Sequence, residues 1–144
     1  MKFTTTQIVA APRDRVFAAL IDPAIIQKCI EGAESLTKTG EDSFDAKLKV
    51  GLAGLKGAYT GKIHIKDKKP PESYTLQIEG KGVPGWVKGS AHFILTSTDD
   101  KTQVQCNADA QVGGLIAAVG SRLTETAAKR MIEQFFRKLS EQLA

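Results

Sequence analysis

An α+β domain in which a curved antiparallel sheet grips one long C-terminal helix is the fold this sequence predicts. Two changes of period carry the prediction. From about residue 34 to residue 112, apolar and polar residues alternate with period two, the pattern of strands with one buried and one wet face. From Leu115 onward apolar residues recur every four positions, the pattern of an amphipathic helix. A third observation sets the order of elements: two proline-opened helical stretches lie between a first strand and the alternating region.

The first strand covers residues 2–10 and is rich in Thr, Val and Ile. Ala11-Pro12 opens a helix with Val16, Phe17 and Leu20 on its apolar side. Proline costs nothing in the first helical turn, because its missing N–H would be unpaired there. Asp22-Pro23 starts a second short helix, with Asp22 placed to cap it and Gly32 placed to end it. A run of about six strands follows. Phe44, Ala46 and Leu48 alternate with Asp45 and Lys47; Tyr59, Ile63 and Ile65 with Lys62 and His64; Tyr74, Leu76 and Ile78 with Thr75 and Gln77. Ala91, Phe93 and Leu95 alternate with His92 and Thr96, and Val104, Cys106, Ala108 and Ala110 with Gln105, Asn107 and Asp109. Turn residues join them at Thr39–Asp42, Lys69–Glu72 and Asp99–Lys101. Last, Leu115, Val119, Leu123, Ala127, Met131, Phe135 and Leu139, with Ile116, Ile132 and Phe136 beside them, predict one helix over residues 115–143.

Composition narrows the function. The 144 residues suit a single domain over 1–144, and 42% hydrophobic with 25% charged residues is ordinary for a soluble globular chain. A formal charge of +4 with mixed Lys and Glu does not call for nucleic acid. Cys29 and Cys106 have no metal spacing and sit among apolar residues, so two buried, reduced thiols are expected. The first residues lack the apolar core of a signal peptide, and no run approaches the roughly 20 apolar residues of a membrane span. A cytoplasmic protein is expected.

No catalytic constellation emerges. His64 and His92 fall on outward positions without a partner at metal-ligand spacing. A triad of Ser90, His92 and Asp109 would lie on the outward face of the sheet. Gly57-Ala58-Tyr59-Thr60-Gly61-Lys62 does not match a phosphate-binding loop and enters a strand. Glycines within strands, here Gly57, Gly61, Gly80, Gly82 and Gly89, read as bends that let a sheet wrap a helix. The inward residues are more telling. Leu48, Tyr59, Ile63, Tyr74, Leu76, Ile78 and Phe93 face Val119, Leu123, Met131 and Phe135, while Ala46, Gly61, Gly80, Ala91, Ala108 and Ala110 are small. Small residues opposite a helix predict a void, and native interiors do not keep large voids empty. These residues, with Ala108 in the lining and Trp86 at the mouth, form the expected ligand site; the mouth lies between the loops Val83–Val87 and Gly51–Leu55. Tyr59 and Tyr74 could offer hydroxyls to a ligand carbonyl. Lys47, Lys49, Lys62 and Lys66 share the outer face, solvated or facing an acidic partner or anionic lipid.

This order of elements resembles the helix-grip fold of START domains, polyketide cyclases and the birch-pollen-allergen group, in which a seven-stranded sheet wraps the helix and two short helices close one end. Three glycine-bearing runs, Gly51–Gly61, Gly80–Ala91 and Ala108–Leu115 leading to Gly120–Leu123, are similar to those of the CoxG family of carbon monoxide dehydrogenase proteins; Glu31 departs from that family, which commonly has proline there. The resemblance covers nearly the whole chain. It implies a non-enzymatic partner of a molybdenum hydroxylase, without a cofactor of its own, that binds a quinone, fatty acid or similar apolar molecule. It also implies recruitment to, or peripheral contact with, the inner face of the membrane. A cyclase or hydrolase of the same fold, and a pure interaction module with a filled core, are the alternatives. The first needs titratable groups in the cavity; the second needs a cavity that is full.

Overall fold

A computed structural model describes residues 1–52 and 55–144. The elements in order are β1 (Lys2–Val9), α1 (Arg13–Leu20), α2 (Pro23–Cys29), β2 (Ala33–Lys38), β3 (Ser43–Val50), β4 (Gly57–Lys69), β5 (Ser73–Gly82), β6 (Gly85–Thr98), β7 (Lys101–Gly113), α3 (Leu115–Ala118) and α4 (Ser121–Leu143). All these strands join one seven-stranded antiparallel sheet in the order β1-β7-β6-β5-β4-β3-β2. Strands β2 to β7 form a meander, joined by short connections that favour antiparallel neighbours. β1 adds to β7, so the chain must pass from one sheet edge to the other between β1 and β2. The two short helices make that passage, and the helix-grip architecture expected from the sequence is the one observed.

Local chemistry places the short helices. Pro12 precedes α1 with extended backbone, and its carbonyl accepts the first helical bond from Val16 N at 3.0 Å. Asp22 caps α2 as expected, its Oδ1 accepting from Ala24 N at 3.0 Å, with Pro23 in the first turn. Such a cap contributes about 1 kcal/mol. Gly32 does not end α2; the cap there is Ile30. Gly32 sits beyond it with φ +84°, where a Cβ would lie 2.0 Å from the Lys49 carbonyl oxygen. Its role is to let the chain enter β2 against β3.

The C-terminal segment differs from the expected single helix. α3 is one turn, Gly120 follows with φ +95°, and α4 begins at Ser121. The break redirects the chain after α3 docks on the β5–β6 hairpin, where Ile116 N donates to Pro84 O at 2.9 Å and the Ile116 side chain is buried. The buried stripe is also different. Thr124, Ala127, Phe136, Leu139 and Leu143 are covered, whereas Leu115 is exposed and Leu123 is 60% exposed. A strict four-residue step turns about 40° further round an α-helix each time, so a long series of such residues cannot share one face. The stripe that packs mixes three- and four-residue steps.

The core occupies the end of the sheet closed by α1 and α2. Tyr74 stacks on Phe93 with ring centres 5.0 Å apart, Phe17 meets Tyr74 edge-on at 5.6 Å, and Phe136 reaches Phe93 at 6.3 Å. Val9, Val16, Leu20, Cys29, Leu95, Val104, Cys106, Leu139 and Leu143 extend the cluster. Both thiols are free and buried, as expected. Phe135 is only partly buried against this core, while Phe136 is 3% exposed.

Two outcomes follow from this packing. Phe136→Ala is expected to cost about 3–5 kcal/mol and Phe135→Ala clearly less; the shift in denaturant midpoint measures both. Burial pushes the Cys106 thiol up to about 11, from 9.0. Between those values the unfolded chain loses a proton that the folded chain keeps, so this contribution to stability is complete below pH 9 and falls as pH rises. Unfolding followed from about pH 8 to about pH 10.5 should show a steeper loss for the wild type than for Cys106→Ala.

Candidate functional site

Register across the sheet arranges the inward side chains in rows. Nearest the core, Phe3, Ala108, Ala91, Leu76 and Ile65 run across β1, β7, β6, β5 and β4. The next row is Ala110, Gly89, Ile78, Ile63 and Phe44, and the one after it Val112, Val87, Gly80, Gly61, Ala46 and Leu36. A last row near the β5–β6 hairpin holds Tyr59 and Leu48. Alanine and glycine supply nearly half of the second and third rows, which lowers the floor of the sheet there. At Gly61 a Cβ would approach the Glu79 carbonyl oxygen to 2.8 Å, so glycine also brings β4 and β5 close where the sheet bends.

Exposure rises along the inward positions of β5 and β4 away from the core. Tyr74 is buried, Leu76 is half-buried and Ile78 is 39% exposed, although all three point inward on β5. On β4, Ile65 is buried and Ile63 is exposed to a greater degree. Between these rows the same residue types on the same face become wetter. The inner face is therefore packed at the α1–α2 end and leaves apolar surface accessible around Ile78, while Tyr59, Ala46 and Ile116 are buried nearer the hairpin. Val119 and Met131 are half-buried on the helical side, and Ala127, buried and small, lies between them in the chain.

The expected site residues divide accordingly. Leu48, Ile63, Leu76, Ile78, Ala108, Val119 and Met131 are inward or helix-side residues that keep part of their surface accessible. Phe135 and Phe93 belong to the packed core or its margin, and Tyr74, 1% exposed, has no free hydroxyl face to present. Tyr59 faces inward, but its hydroxyl donates to the Leu55 carbonyl at 2.6 Å. Burial raises the Tyr59 pKa, so the phenol stays neutral. Leu123 stands on the exposed side of α4. Trp86 requires a correction: it lies on the outer face, its indole across Gly113, where a Cβ would touch the ring. β6 already begins at Gly85, and the count that puts Ala91 and Phe93 inside puts Val87 inside and Trp86 outside. Alternation carried back along β6 from Ala91 selects Val87 in place of Trp86. Phe3 and Thr5 on β1 also face inward, a placement the sequence pattern does not signal; Thr5 is paired with Cys106 across the ladder, and its buried Oγ1 is beside that thiol. Of the expected mouth, Ala53 and Gly54 lie outside the described residues.

The outer face carries the histidines, as expected. His64 Nδ1 pairs with Ser43 Oγ at 2.7 Å and His92 Nδ1 with Thr75 Oγ1 at 2.9 Å. His92 is thus engaged away from Ser90, which stands opposite Asp109. Among the described residues no group of three His, Cys, Asp or Glu side chains could hold a metal ion, and no helix is long and apolar enough to cross a membrane.

Sheet, short helices and long C-terminal helix together define a START-like helix-grip domain. A START superfamily protein from Mycobacterium smegmatis superposes with a TM-score of 0.79 at 11% identity, covering 99% of this chain and 96% of that one. The Zhui aromatase/cyclase from a Streptomyces species superposes at 0.73 with 16% identity, covering 99% and 93%. Far more similar is a conserved protein from Geobacillus kaustophilus, with a TM-score of 0.96 and 36% identity over 99% of this chain and 95% of that one. The model of the carbon monoxide dehydrogenase CoxG family matches residues 6–144, and the chain belongs to that family. No curated protein matches the sequence.

With no cluster of metal ligands among the described residues, chelation should leave folding unchanged. The thermal midpoint with and without EDTA is the measurement; a fall restored by zinc would contradict this expectation.

Proposed function

We propose that this protein is a non-enzymatic accessory protein that holds a hydrophobic small molecule, quinone-like or lipid-like, in the groove between α4 and the inner face of the sheet. The observation that carries this reading is the exposure gradient ending at Ile78, an inward isoleucine left 39% exposed over a floor of alanine and glycine. Exposed apolar surface lining a concave site is what an apolar ligand covers. Burying it contributes about 25 cal/mol per Å². Membership of the CoxG family supports an accessory role, with a carbon monoxide dehydrogenase-type molybdenum hydroxylase as the enzyme served. Val83, 95% exposed, and the exposed Leu115 and Leu123 belong to the elements around the open end of the groove. They suit contact with a membrane surface when the ligand is collected or released. A cyclase-type activity would need a titratable group in the groove. The rows from Ala110 to Phe44 and from Val112 to Leu36 consist of apolar side chains and glycines, which suits binding rather than proton transfer.

Native mass spectrometry of the purified protein is expected to show a co-purifying apolar molecule. Titration with a ubiquinone or oleate should stabilise the fold by about 2.7 kcal/mol at 100 times the dissociation constant. Ala108→Phe, which fills the floor beside Ala91, should abolish that stabilisation while the protein still folds. If the variant instead unfolds more easily by about 1–3 kcal/mol, as overpacking a full core does, and no apolar ligand shifts the melting point, the ligand-binding reading fails.

A further inference from the structure

Two rows of side chains cross the outer face of the sheet side by side, and their charges differ. One runs Asp45, Lys62, Glu79 and Lys88 on successive strands. Its signs alternate, with Lys88 Nζ 3.8 Å from Glu79 Oε1, so it neutralises itself. The other runs Ser35, Lys47, Thr60, Lys81 and Trp86. This row holds two lysines and no carboxylate, and it ends on an indole that is 45% exposed. Both rows line an open concavity of about 760 Å³. An adjoining depression of about 450 Å³ shares Lys47, Thr60 and Lys81 and extends to Val83, with Glu34 as the carboxylate on its margin.

Such an arrangement has the composition of a recognition surface. Tryptophan is among the side chains most enriched at binding hot spots, and flanking charges select the partner. Its spacing is also specific. Strands lie about 4.8 Å apart, which puts Lys47 and Lys81, two strands apart, at about 10 Å, with Trp86 about 5 Å beyond. An α-helix rises about 10.5 Å in seven residues, and positions i, i+7 and i+11 share one face. A helix laid across the strands therefore matches the row. We propose that this row docks an acidic amphipathic helix of a partner protein, with carboxylates at i and i+7 over Lys47 and Lys81 and an apolar side chain at i+11 against Trp86. The occupant follows from charge complementarity: the uncompensated row is cationic and calls for carboxylates. The inference uses the face opposite the groove and does not rest on ligand binding there.

Trp86 is the chain's single tryptophan, so its fluorescence reports the contact. The probe is a synthetic, tryptophan-free helical peptide of roughly 18 residues with Glu at i and i+7 and Leu at i+11. It is titrated into the whole protein at low salt beside a peptide with Lys in place of both Glu. Saturable binding of the Glu peptide is expected, weakened about tenfold or more in about 0.5 M NaCl, with no binding of the Lys peptide. The double variant Lys47→Glu/Lys81→Glu should lose about tenfold or more in affinity, whereas Lys69→Glu/Lys101→Glu, exposed at the far ends of β4 and β7 and with the same change in net charge, should lose less than about threefold. Trp86→Ala, followed by calorimetry, should weaken binding comparably to the first pair. Thermal melting of each variant confirms that it is folded. Equal losses in both double variants, or no saturable binding at low salt, overturn the proposal. So does binding of phosphatidylserine vesicles through Lys47 and Lys81 without binding of the peptide, because the surface would then face lipid.

Discussion

The aromatic contact of Tyr74, Phe93 and Phe136, with Phe17 against it, joins the sheet to α4 and α1. Tyr74 and Phe93 are opposite partners on β5 and β6, Phe136 comes from α4, and Phe17 adds α1. Each such pair contributes about 0.5–1.5 kcal/mol beyond the area it buries. More important is what it positions. It pins the second half of α4 at the packed end of the sheet, whereas further along the strands many inward residues are alanine or glycine. The proposed ligand site lies beyond that anchor.

Curvature is the second condition. Gly61, Gly80 and Gly89 lie on neighbouring strands, and a Cβ at Gly61 or Gly89 would meet a carbonyl oxygen of the next strand at 2.8 or 2.7 Å. These positions let the sheet bend around the helix and also lower its floor. One residue type therefore accounts for both the shape and the open space. The chemistry of that space is plain: apolar side chains, a tyrosine hydroxyl already bonded to Leu55, and a protonated thiol at its packed end. Such a surface fits the proposed apolar ligand, which the hydrophobic effect would hold with shape and length mattering more than hydrogen bonding.

On the other face of the same strands the rules differ. Alternation sends Lys47, Lys62, Lys81 and Lys88 outward together with Trp86, and the register decides which of them meet carboxylates. Glu79 falls opposite Lys62 and Lys88, while Thr60 falls opposite Lys47 and Lys81. A shift of one residue between β4 and β5 would redistribute these pairs and also invert the faces. The inner floor and the outer charge rows are thus set by the same hydrogen-bond ladder.

Much of this is legible in the residues themselves. Period-two alternation identifies the inward side of β3 through β7, Asp22-Pro23 marks the start of α2, and the outward histidines and buried cysteines follow from position alone. These are local properties, set by backbone geometry within a strand or a helical turn. Three features are decided only by tertiary structure. The buried stripe of α4 departs from the four-residue series because such a step drifts around the helix, and only the sheet determines which face it covers. Trp86 lies on the outer face because pairing with Gly113 extends β6 to Gly85, and the start of a strand depends on its partner rather than on its own residues. Whether the inward residues fill their space is equally undetermined by the sequence, since Tyr74 and Ile78 look alike in the alternation. One is buried and the other exposed because burial depends on what distant parts of the chain bring against them, as Phe17 of α1 does against Tyr74.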